Sequence, residues 1–262
     1  MQLPRAPFRA TTGGVDHNLL TAGFIMVWIG AILLIDHRVS VVGQALLGVA
    51  TWAVLIAVLR AEALITRIQV GVVIVFATLV EYTFSPILEV YTYRLGGVFG
   101  VPSFVPPGHG LVYLAALCLA RSGFFGRHER VLVWMTVVGA GAYAAWGLWW
   151  SPQPDALGAF WYLCLLGFLA WGRMRLLYVG AFVVVTALEL FGTKLGVWTW
   201  ATTDPTGLIT IGNPPSVAAG GYGWFDLVAV AVAPSIAAFL VAAKARGQGR
   251  RVRRATESSS GR

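Results

Sequence analysis

The chain has 262 residues, of which 58% are hydrophobic and only 11% charged, and its mean hydropathy is +0.75. Soluble domains carry about 25% charged residues, so this chain has too little polar surface to coat a globule and reads as a polytopic membrane protein. The formal charge of +8 does not point to nucleic acid, because seven of the 19 Lys and Arg lie in the tail from Lys244 to Arg262, where they read as an anchor against anionic lipid.

In chain order, a polar segment at 1–17 carries no apolar signal region. Eight apolar stretches follow, at 18–35, 40–59, 68–89, 107–121, 131–150, 156–172, 176–193 and 220–243. A bilayer span needs about 20 such residues, and backbone groups in lipid must be satisfied within each span, so all eight are expected to be helices. If the spans alternate, 16 of the Lys and Arg fall on one side and Arg38, Arg94 and Lys194 on the other. The positive-inside rule then predicts both termini in the cytoplasm. The expected location is the plasma membrane, as a multi-pass protein.

Two Gly-, Pro- and aromatic-rich loops, near 90–106 and 195–219, lie on the non-cytoplasmic side. They belong to an internal repeat. Thr78 and Glu81 match Thr186 and Glu189 at an offset of 108, and "VYTY" at 90–93 matches "VWTW" at 197–200 at an offset of 107. After the loops, "PSFVPPGHG" (102–110) matches "PSVAAGGYG" (215–223). Three matches in order predict an all-α integral membrane fold of eight transmembrane helices in two parallel four-helix repeats. The repeats are expected at 18–121 and 131–243, with a cytoplasmic linker at 122–130 and a basic cytoplasmic tail at 244–262.

Three acids fall inside spans: Glu81, Glu189 and Asp226. Intramembrane acids face a bundle interior or water-filled cavity and point to function. No Lys or Arg lies mid-span to neutralise them; Arg94 and Lys194 at the outer ends are the nearest. Burial without a cation favours the neutral acid over the carboxylate, and a buried neutral acid is a proton donor. Aromatic faces nearby can stabilise a carbocation. Tyr91, Tyr93, His109, Trp198, Trp200, Tyr222 and Trp224 are the candidate substrate-binding residues, and Glu81, Asp226 and Glu189 the candidate catalytic ones. This combination predicts protonation of an isoprenoid alkene or epoxide, with Glu81 or Asp226 as donor and Glu189 in support.

Other readings of these residues stand beside it. The acids can be structural, bonded to hydroxyls or backbone amides. His109 can be a polar residue at a helix start, Trp149 and Trp150 an interfacial belt, and Arg94 and Lys194 either snorkelling residues or contacts to an anionic head group. Cys118 and Cys164 form no metal or disulfide pattern, and no metal or cofactor is expected. The expected partners are an apolar isoprenoid or lipid substrate and the bilayer, with no nucleic acid.

The stretch "ELFGTKLGVWTW" (189–200) resembles the lycopene cyclase domain of bacteria and fungi, and "EVYTYRLGGVFGVPSFVP" (89–106) resembles the carotenoid hydratase family. The placing of Glu81 and of Asp226 in "GWFDL" is similar to the integral-membrane terpene cyclases of meroterpenoid and indole-terpenoid pathways. The resemblance covers about 70 residues. Pro214, Pro215 and Ser216 lead to no carboxylate before Asp226, unlike the paired acids of the lycopene cyclase domain, and His109 stands where the hydratase pattern has Trp. What these families share implies proton-initiated chemistry on a polyprenyl chain without a redox cofactor. The alternatives are a carotenoid hydratase or a non-enzymatic lipid or proton-coupled transporter.

Overall fold

The computed structural model describes residues 16–259, so the expected N-terminal segment lies outside the described residues up to position 15 and the tail beyond position 259. Nine helices and two short strands are present among the described residues: α1 (His17–Asp36), α2 (Val41–Leu59), α3 (Leu64–Phe84), β1 (Tyr91–Tyr93), α4 (Val105–Arg121), α5 (Gly123–Arg127), α6 (Glu129–Trp149), α7 (Ala156–Trp171), α8 (Arg175–Lys194), β2 (Trp198–Trp200) and α9 (Ala219–Ser259). Six of them, α1, α2, α3, α6, α8 and the Ala219–Lys244 part of α9, are long and apolar enough to cross a membrane. The chain is a helical, multi-pass membrane protein by this measure. At 16 and 17 residues, α7 and α4 rise only about 25 Å.

Eight long helices follow the eight expected stretches, with shifted ends. The third begins at Leu64 rather than 68 and stops at Phe84, not 89, because Pro86 cannot continue it. The last helix runs through the basic tail to Ser259. Side chains set several helix starts. Asp16 accepts from the Asn18 amide at 3.0 Å and caps α1, and Asp155 accepts from Gly158 at 2.9 Å and caps α7. Pro106 and Pro107 occupy the first turn of α4, where no N–H is needed.

The core is built on α4, twelve of whose 17 residues are buried. It packs on α1, α2, α3 and α8, while α9 packs on α3, α7 and α8. Gly180 of α8 lies so close to the Ala116 backbone that any side chain there would force α4 and α8 apart. The two long loops also carry short strands, which their composition does not predict. They meet as an antiparallel pair with Thr92 opposite Thr199, Tyr91 opposite Trp200 and Tyr93 opposite Trp198. The pair is closed at one end by Arg94 N–H donating to Val197 at 2.9 Å and at the other by Ala201 N–H donating to Val90 at 2.9 Å.

A further anchor lies in the loop between α6 and α7. Asp155, 1% exposed, accepts from the amides of Gly158, Gly212 and Ser216 at 2.9, 2.9 and 2.6 Å. One buried carboxylate thereby ties the loop after β2 to the start of α7. Arg94 is held by the backbone oxygens of Asp36 and Val39 and faces the Asp36 carboxylate at 3.8 Å. It joins the α1–α2 turn to the strand pair and is engaged there rather than with the intramembrane acids.

Candidate functional site

Residues of α1, α3, α4, α7, α8, α9 and both strands enclose a cavity of about 400 Å³. That lies within the range of about 300–1,000 Å³ usual for small-molecule sites. Its walls are almost entirely apolar and aromatic: Ile32 and Leu33 from α1, Phe76 from α3, Val112 from α4, Trp161 from α7 and Phe225 from α9. Polar groups enter it in two clusters, one centred on Glu81 and one on Glu189.

Glu81 sits one turn from the end of α3 and is 5% exposed. Its Oε1 lies 2.7 Å from His109 Nε2, in the second turn of α4. Its Oε2 accepts from the Tyr93 hydroxyl at 2.7 Å, across from β1. Imidazole and phenol can each give or take a proton, so both oxygens of Glu81 face groups able to exchange one. His109 is itself wedged between Tyr222, 5.4 Å away ring to ring, and Phe225, edge-on at 5.6 Å.

Glu189, 3% exposed, is held differently. Its Oε2 accepts from two indoles, Trp198 Nε1 at 3.0 Å and Trp200 Nε1 at 3.2 Å. An indole N–H only donates, so that oxygen is fixed as an acceptor. Its Oε1 faces the Tyr222 hydroxyl at 3.4 Å. Hydrogen bonds to a charged acceptor contribute about 1.5–3 kcal/mol each, enough for the two indoles to offset much of the cost of a buried carboxylate. Gly192 makes this possible, because any side chain there would collide with the Trp198 ring.

The candidates from the sequence are therefore largely brought together. Glu81, Glu189, Tyr91, Tyr93, His109, Trp198, Trp200, Tyr222 and Trp224 all line the cavity. Tyr91 packs on Trp200 with ring centroids 4.6 Å apart, and Trp200 meets Trp161 edge-on at 5.8 Å. Trp224 lies at the margin, 47% exposed and set edge-on against Phe168. Asp226 stands apart: it is 4% exposed but borders a second, smaller cavity that shares His109, Val112, Tyr222 and Phe225 with the first.

Sequence reasoning missed how the two acids are held. Trp161 carries no such signal, and Asp36 and Asp155 fall between the expected spans although both are buried. No group of three or more His, Cys, Asp or Glu side chains able to hold a metal occurs among the described residues. No family model, curated protein or solved structure matches the chain.

Proposed function

We propose that the protein is a membrane-bound terpene or carotenoid cyclase that protonates an isoprenoid alkene or epoxide from an intramembrane acid. The observation that carries the reading is the greasy, aromatic-walled cavity with Glu81 and Glu189 as its two polar centres. A hydrocarbon chain fits such walls, and it offers little for a protein to grip except its π electrons. The Glu81–His109 couple, with Tyr93 behind it, is suited to hold and deliver the initiating proton. The faces of Tyr91, Trp161, Trp198 and Trp200 supply cation–π stabilisation of about 0.5–2 kcal/mol each to a carbocation in this desolvated setting. Glu189, fixed as an acceptor by two indoles, suits the role of the anion that steadies the cation and takes the final proton.

Eight spans in two parallel repeats, with both termini in the cytoplasm of a plasma-membrane protein, complete the reading. The repeat draws support from the strand pair. An offset of 107 turns the bond from Arg94 to Val197 into the bond from Ala201 to Val90. The offsets that relate Glu81 to Glu189 and His109 to Tyr222 likewise turn the His109–Glu81 contact into the Tyr222–Glu189 contact. The helix pairs α3 with α9 and α8 with α4 correspond in the same way.

The test is conversion. Membranes bearing the full chain are incubated with a panel of linear polyprenes and their terminal epoxides, and products are identified by mass spectrometry. A product of unchanged mass with a new ring supports the cyclase. Gain of one water identifies a hydratase, and movement of an unaltered lipid with protons identifies a transporter.

A further inference from the structure

The second cavity is small, about 10 Å³, and lies against α3, α4, α8 and α9. Its wall carries four polar side chains, His109, Tyr113, Tyr222 and Asp226, and is otherwise apolar. Among the described residues, two of these polar atoms find no hydrogen-bond partner although fully enclosed: Asp226 Oδ2 and the Tyr113 hydroxyl. Asp226 is 4% exposed and Tyr113 1% exposed. Leaving such atoms unmatched is costly. A cavity needs about 10–15 Å³ and two to four polar partners to hold one water, and this one has both.

We propose that this cavity holds a single water molecule, bound by Asp226 and the Tyr113 hydroxyl, that links the Glu81 cluster to the Glu189 cluster. The shared wall supplies the link. His109 is bonded to Glu81 and Tyr222 lies against Glu189, and both side chains border the water site.

The use of this water rests on the cyclase reading. Each cyclisation takes one proton from the Glu81–His109 couple into the substrate and delivers another to Glu189. The enzyme is then one proton short at Glu81 and one in excess at Glu189. The return path runs from Glu189 to the Tyr222 oxygen, whose own proton passes to the water. The water passes a proton to His109, and His109 restores Glu81. Each group ends with the protons it began with, and no outside acid or base is consumed. Asp226 is a positioning residue in this scheme: it holds and orients the water.

The probe is water itself. Infrared spectra of the full chain in lipid nanodiscs are compared in H₂¹⁶O and H₂¹⁸O. Wild type is expected to give an isotope-sensitive O–H stretch of one non-bulk water. Tyr113→Phe should shift that band and Asp226→Leu should abolish it, while Trp198→Phe, on the wall of the large cavity away from the water, should leave it in place. Asp226→Leu replaces an unmatched buried polar group with an apolar side chain of similar size, so the fold is expected to survive, as a retained thermal unfolding transition will verify. If Asp226→Leu fails to fold, the shift in Tyr113→Phe carries the test alone. Absence of the band in wild type, or a band unmoved by either variant, overturns the proposal. This readout does not depend on turnover, so its failure leaves the cyclase reading standing, and an inactive protein with an intact band sinks only that reading.

Discussion

Replacing Glu81 by Gln perturbs the proposed donor with the smallest change in shape. The carboxyl contacts His109 Nε2 and the Tyr93 hydroxyl, each at 2.7 Å. In the variant, Gln Oε1 accepts from His109 and its amide donates to the Tyr93 oxygen, because a phenol turns from donor to acceptor at no steric cost. Both buried contacts survive as neutral hydrogen bonds, so stability should fall by no more than about 1–2 kcal/mol. The amide cannot release a proton. General acid catalysis contributes about 10²–10⁴-fold, so turnover should fall by that factor, which is about 3–5 kcal/mol of barrier. The assay is product formed per mole of folded protein, normalised by the monodisperse fraction on size exclusion. Turnover within about threefold of wild type in a folded Glu81→Gln protein would refute the reasoning, since that is far below the expected acid contribution.

Asp155→Ala removes a buried acceptor from three amides at once; at about 1–3 kcal/mol for each amide left unmatched, a loss of about 3–9 kcal/mol is expected, read as a fall in unfolding temperature that Asp155→Asn partly restores. Gly192→Ala drives a methyl into the Trp198 ring, and overpacking of this kind costs about 1–3 kcal/mol; product formation should fall further than stability, because the displaced ring is a Glu189 donor, and an unchanged product yield would count against that role. In the exposed turn at 204–209, the Thr206 hydroxyl first, then the amides of Ile209, Thr206 and Leu208, hold the Asp204 carboxyl below its usual range. A carboxyl lowered by folding stabilises the turn above its unfolded value of about 3.9 and releases it as pH falls through the lowered one, so the protection of the Leu208 and Ile209 amides, measured against the intrinsic exchange rate at each pH, should fall only in acid.

The helices were legible because lipid leaves the backbone no alternative, and a run such as 41–59 is apolar but for Gln44 and Thr51. Glu81 and Glu189 were legible as a matched pair because each precedes an aromatic-Thr-aromatic triplet at nearly the same spacing. The triplets' pairing was not legible, since two three-residue strands over a hundred residues apart carry too few side chains to announce a register. Asp155 was hidden for a related reason: its three partners include amides about sixty residues away, in Gly212 and Ser216. Asp226 reads in sequence like the other intramembrane acids; only the packing of His109 and Tyr222 between it and the large cavity sets it apart.

In the proposed mechanism a proton from the protein starts a reaction on a carbon chain. The most direct measurement equilibrates the full chain in its membrane with D₂O, adds less than one equivalent of a converted polyprene so that each protein turns over once, and locates deuterium in the product by mass spectrometry and NMR. One deuterium bonded to carbon is expected per product molecule, at the end of the chain where ring closure began, with the labelled product formed about 10²–10⁴-fold more slowly by the Glu81→Gln variant. Product free of carbon-bound deuterium, or recovery of every polyprene unaltered, would contradict it.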